Sequence, residues 1–88
     1  MEVTPTDLPV ETLVNVYPNP NNGQFNIELT NNEETTLIEV YDLMGKQVFT
    51  QNTNETIKKI DISDQPKGIY LVKITVGNEV FNEKIIYQ

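Results

Sequence analysis

Any chemistry in this chain would have to come from carboxylates. The 88 residues include no histidine, no cysteine and one serine, Ser63. A nucleophilic hydroxyl or thiol therefore has no imidazole to activate it, and the usual ligands of transition metals are missing. Two acidic groupings remain, Glu33-Glu34 and Asp61 with Asp64. Paired carboxylates hydrolyse glycosides, one as acid and the other as base or nucleophile. Both groupings fall in turns or on solvent faces, where ionised side chains stay hydrated, so they read as surface. Asp61, Asp64 and nearby carbonyls are oxygen donors of the kind calcium takes, but the repeated acidic spacing of a calcium loop is absent. No catalytic residue, metal or cofactor is expected.

The elements that would position such groups are strands. Alanine and arginine are absent, and valine, isoleucine, threonine and aromatics fill the apolar runs, which is strand composition. With 38% hydrophobic residues, the chain suits one small domain with a thin core. Thirteen acidic residues against six lysines give a net charge of −7. That balance repels phosphate backbones, so nucleic acid is excluded as a partner. The lack of cysteine rules out a disulfide framework. Nothing approaches the roughly 18 apolar residues of a membrane span, so direct membrane insertion is not expected. The start, MEVTPTDLPVETL, has no basic region followed by an apolar stretch and is no signal peptide. Met1 fits a start codon placed ahead of an excised domain, with any export signal on a larger parent.

Alternation then places the strands. In QFNIELT, Phe25, Ile27 and Leu29 share one face. In LIEVYDLMGKQVFTQ, Asp42 opens a type I turn and Gly45 supplies the left-handed residue of a three-residue loop. That register sets Asp42 opposite Lys46 and Val40 opposite Val48. GIYLVKITV and EVFNEKIIYQ are joined by the two-residue turn Gly77-Asn78. Ile74 then faces Phe81, Tyr70 faces Ile85 and Glu83 faces Val72. A glutamate on that face means either that the last strand is a partly wetted edge or that the register is wrong. TIKKIDIS contributes Ile60 and Ile62, and TLVNVY contributes Val14 and Val16. The sum is an all-β domain, an immunoglobulin-like two-sheet antiparallel β-sandwich of about seven strands. Phe25, Ile27, Val40, Val48, Tyr70 and Ile74 are expected inside. Residues 1–12, with Pro5 and Pro9, read as a linker or lead-in, and residues 13–88 as the domain.

The aromatics and lysines are read structurally first. Tyr70 follows Gly68 at a strand start, where a tyrosine packs inward and hydrogen-bonds back across the corner. Tyr41 and Tyr87 are left open between buried and exposed. Lys58, Lys59, Lys67, Lys73 and Lys84 make the second half less acidic, and lysine on exposed strands discourages edge-to-edge pairing.

Four stretches carry a resemblance. VYPNPNNGQFNIEL resembles the first signature block of the type IX secretion system C-terminal sorting domains of Bacteroidota. IEVYDLMGKQV resembles that family's central hairpin, GIYLVKI its penultimate strand and EKIIYQ its terminal strand. The blocks occur in order from Val14 to Gln88. The resemblance implies a domain that catalyses nothing. It rides on N-terminally attached cargo, passes through the periplasm and is recognised by an outer-membrane translocon. A sortase-like protease then removes it at the surface, leaving the cargo surface-bound or secreted, with many cargoes joined to lipopolysaccharide.

The family positions fall on Tyr17, Pro18, Asn19, Pro20 and Gly23, on Tyr41, Asp42, Gly45 and Lys46, on Gly68 and Tyr70, and on Lys84, Ile85 and Ile86. Most are shape determinants: Pro18 and Pro20 restrict φ, and Gly23 permits a positive one. The exposed part of the last strand around Lys84 is the surface expected to be read. The chain departs from the family by closing on Gln88 rather than on lysine or arginine. Met1–Thr12 is the natural place for cleavage, since proteases need accessible backbone. The competing readings are a passive β-sandwich spacer and a carbohydrate-binding module, the latter lacking tryptophan for a sugar platform.

Overall fold

A computed structural model describes residues 13–30 and 35–88. Seven strands follow in order: β1 (Leu13–Tyr17), β2 (Gln24–Thr30), β3 (Thr36–Asp42), β4 (Gln47–Thr53), β5 (Ile57–Asp61), β6 (Gly68–Val76) and β7 (Glu79–Tyr87). They form a three-stranded sheet, β1-β2-β5, and a four-stranded sheet, β4-β3-β6-β7, with antiparallel pairing within both. This is the expected two-sheet sandwich. The lead-in and Glu33-Glu34 lie outside the described residues.

Period-two patterning is what closes it. Phe25, Ile27 and Leu29 of β2 face Ile38 and Val40 of β3 and Val72 and Ile74 of β6 within one core, joined by Ile60, Ile62, Tyr70, Val76, Ile85 and Tyr87. Each such side chain contributes about 1.5–3 kcal/mol on burial. Val14 and Val16 pack at its margin. No buried side-chain nitrogen or oxygen among the described residues lacks a partner, so the core carries no desolvation debt.

The β6–β7 register is the one expected: Tyr70 pairs Ile85, Val72 pairs Glu83 and Ile74 pairs Phe81. Glu83 is exposed because β7 is a sheet edge, which decides that question for the wetted edge. The β3–β4 register differs from expectation. Tyr41 pairs Gln47, but Val40 pairs Phe49, because a bulge makes Val48 an extra residue. Val48 is therefore half-buried at the core margin instead of lying inside it. The physical cause is that Val48 and Phe49 are consecutive apolar residues. Strict alternation would turn one of them into water, whereas a bulge bends the strand and lets both lean on the core.

Candidate functional site

The loop Pro18–Gly23 leaves the end of β1 and crosses to the outer edge of β7, in the other sheet. The Tyr17–Pro18 and Asn19–Pro20 peptide bonds are both cis. Asn19 grips the strand with its side-chain amide: Nδ2 donates to the Lys84 carbonyl at 2.9 Å, and Oδ1 accepts from the Ile86 amide at 2.9 Å. Asn21 continues with its backbone, donating to the Ile86 carbonyl at 2.8 Å and accepting from the Gln88 amide at 2.9 Å. The outward backbone groups from the Lys84 carbonyl to the Gln88 amide are thus paired, and this half of the edge is closed to another strand.

The loop's own shape follows from its residue types. Asn21 is buried, and its Oδ1 accepts from the Gly23 amide at 2.9 Å, the side-chain turn that asparagine favours two residues ahead of a bend. Gly23 sits at φ +102°, and a Cβ there would lie 2.9 Å from Ser63 Cα and 3.0 Å from Tyr87 Cζ. Its carbonyl accepts from the Ile62 amide at 2.8 Å. Tyr87, buried, donates its hydroxyl to the Ser63 carbonyl at 3.2 Å. The first motif block is therefore fastened both to the last strand and to the β5–β6 connection.

The other blocks meet at the same end of the four-stranded sheet, where Asp42 pairs Tyr70 and Tyr70 pairs Ile85. Asp42 organises the β3–β4 loop as expected. Its amide donates to the Lys46 carbonyl at 2.9 Å, its carbonyl accepts from Gly45, and its carboxylate accepts from the Met44 and Lys46 amides at 2.9 Å each. Gly45 lies at φ +86°. Tyr70, also buried, donates its hydroxyl to the Pro66 carbonyl, the tyrosine corner of immunoglobulin-like sandwiches. Burial, with the negative charge of Asp42 secondary, pushes its phenol above the ordinary range.

On the outer face of this sheet, Tyr41 neighbours Leu71, which neighbours Lys84. Ile69 pairs Ile86 one step toward the end. Tyr41 is half-buried and donates to Glu39 Oε2 at 2.7 Å, a bond that raises its pKa. Lys84 and Lys46 are exposed, Ile86 is half-buried and Ile85 is in the core. Gly68 and Tyr17 are exposed. Lys84 thus presents its side chain, as the sequence led one to expect, while its carbonyl is already engaged by Asn19.

Among the described residues, Asp61 is engaged in a turn rather than paired with a second carboxylate. Asp61 accepts from the Ser63 amide at 2.8 Å and the Ser63 hydroxyl at 2.5 Å on one oxygen, and from Gln24 Nε2 at 3.2 Å on the other. These bonds, the serine hydroxyl foremost, hold its carboxyl below the usual range. Asp61 closes a turn. Asn21 and Tyr87 are positioning residues that sequence reasoning passed over. The signal for Asn21 was its place two residues before Gly23, but nothing local to Tyr87 announced that its hydroxyl reaches back to residue 63.

Comparison with known proteins identifies the family. A family model described as "Secretion system C-terminal sorting domain" matches residues 15–88. The chain is 36% identical over 75 residues to the ulvan lyase NLR42 of Nonlabens ulvanivorans, covering 83% of this chain and 14% of that protein. It is 31% identical over 75 residues to an endo-acting ulvan lyase of Formosa agariphila, with the same two coverages of 83% and 14%. The chain thus spans about a seventh of the length of the enzymes it matches. With the family model matching residues 15–88 and so nearly all of the described strands, the chain belongs to the C-terminal sorting domains of the type IX secretion system.

Proposed function

We propose that this domain directs an N-terminally attached cargo from the periplasm across the outer membrane through the type IX translocon. A sortase-like protease then removes the domain at the surface, cutting within residues 1–12. The domain contributes recognition and no catalysis. The observation that carries the reading is that residues from all four motif blocks meet at one pole, where Asn19 and Asn21 tie the first block to the last. Shape residues such as Gly23, Asp42 and Tyr70 build that pole, and Lys84 displays a cation on it.

The test is a periplasmically exported reporter fused ahead of residues 1–88 in a host with a type IX system. The reporter is expected at the surface or in the medium, lacking the domain's mass where the protease has acted. Removing Lys84–Gln88 is expected to hold the reporter in the periplasm. Lys84→Glu separates side-chain recognition from folding, because it leaves the carbonyl bond to Asn19 in place and surface substitutions usually change stability by no more than about 0.5 kcal/mol. Normal secretion of that variant would discard Lys84 as a contact. Retention of the intact fusion, while an established sorting domain exports the same reporter, would discard the sorting role.

A further inference from the structure

We propose that the cleft between the β3–β4 loop and the β5–β6 loop is a docking site for a protein segment of the secretion machinery, one that presents an apolar side chain beside carboxylates. The inference rests on the sorting role and adds to it a place and a partner chemistry. The cleft has a volume of about 320 Å³, and its lining includes Leu43, Met44, Lys46, Lys67 and Ile69 together with Asp42 and Tyr70.

Three observations meet there. The first is uncovered apolar surface: Met44 is 92% exposed and Leu43 66%, and Ile69 is exposed beside them. Two adjacent bulky residues at a hairpin tip gain nothing from folding, since burial is what stabilises such side chains. The second is rigidity. The Asp42 carboxylate fixes one wall through the Met44 and Lys46 amides, and the Tyr70 hydroxyl fixes the other through the Pro66 carbonyl. A wall that is already ordered pays less conformational entropy on binding. The third is charge. In a chain of net charge −7, Lys46 and Lys67 flank this one cleft, and among the described residues neither forms an ion pair. The Asp42 carboxylate in the same lining keeps its charge and is turned toward backbone amides, so two exposed ammonium groups stand against one carboxylate and the lining is net positive in an acidic chain. Such a recess complements an apolar anchor with acidic neighbours.

The experiment compares three fusions of residues 1–88 behind the same periplasmic reporter: unaltered, L43S with M44S, and K46E with K67E. All altered positions are exposed, so both variants are expected to keep the melting temperature within about 4 °C. Secretion of both is expected to fall about tenfold or more, the loss that follows when an anchor or its charge partners are removed. A photo-crosslinking amino acid at position 44 is expected to capture a secretion-system protein through a peptide holding an apolar residue next to aspartate or glutamate. The same probe at Asn52 serves as the comparison. Normal secretion of both folded variants overturns the cleft and leaves the sorting role standing. Retention of the unaltered fusion removes the sorting role itself. Sedimentation of the 88-residue chain with vesicles of three parts phosphatidylglycerol to seven of phosphatidylcholine, abolished by K46E with K67E, would assign the cleft to a lipid surface and overturn the peptide partner.

Discussion

The two ends of the sandwich are built on different principles. At the pole holding the motif blocks, loops from both sheets are cross-linked by side chains: Asn19 to β7, Tyr87 to Ser63, Tyr70 to Pro66 and Asp42 to its own loop. At the opposite end the side-chain contacts among the described residues are polar and do not tie one sheet to the other. Thr35 donates to Asn54 at 2.9 Å, Glu55 donates its amide to the Thr53 hydroxyl at 3.0 Å, and Lys58 meets Glu55 at 3.7 Å. A recess of about 350 Å³ between Thr35 and Gln51–Glu55 is lined by polar and acidic side chains alone. It is similar in size to the cleft at the other pole, yet its lining offers neither an apolar anchor nor a cation. Size does not mark the site. What marks it is the combination of rigid walls with unsatisfied surface.

This contrast can be broken by perturbing each end in turn. Phe25→Ala, in the shared core, should cost about 3–5 kcal/mol and weaken both ends together, as read by urea denaturation. Gly23→Ala comes next. Its Cβ would press on Ser63 and Tyr87 at a positive φ, so overpacking of about 1–3 kcal/mol adds to backbone strain of about 1–2 kcal/mol. Gly45→Ala has the strain but open space around it and should lose only about 1–2 kcal/mol. Equal losses at the two glycines would show that the packing at Gly23 is looser than described. Asn19→Ala removes both side-chain bonds to β7 and should cost about 1–3 kcal/mol, with faster hydrogen exchange at the Ile86 amide. Asn54→Ala, at the far end, should stay within about 0.5 kcal/mol.

The smallest effect is one of pH. The Asp61 carboxyl is held below the ordinary carboxylate range by Ser63 and Gln24. A depressed folded pKa contributes stability that is complete above the unfolded value and is lost as pH falls through the folded one. Asp61→Asn should therefore flatten the acid limb of the stability curve below about pH 4, while leaving the neutral limb parallel to that of the parent chain.

How far the sequence reached depended on the range of the interaction. Alternation identified Phe25, Ile27 and Leu29 as core, and turn chemistry identified the Asp42–Lys46 loop and the β6–β7 register, because each is decided by neighbours in the chain. The bulge at Val48 escaped because its cause, two apolar residues competing for one core edge, is tertiary. The motif residues were legible one by one, but their meeting was not. Asn19 finds Lys84 and Ile86 across 65 and 67 positions, and no local pattern encodes that distance. Lys84 was singled out as a surface cation, whereas Leu43 and Met44 passed as ordinary turn residues until their exposure and their clamped loop stood side by side.

The grip of Asn19 on β7 also has a consequence in time. Closing a loop of about 65 residues costs entropy that grows with the logarithm of its length, so this contact is among the last the chain can profit from. Until it forms, the Lys84–Gln88 half of the outer β7 edge is a free template for any strand nearby. A domain still missing its final segment cannot engage the latch, because the groups that Asn19 and Asn21 hold lie between Lys84 and Gln88. The latch therefore works as a clock on the chain. Its closure reports that both ends of the domain are present and folded together, and a translocon reading this pole would in effect read completion.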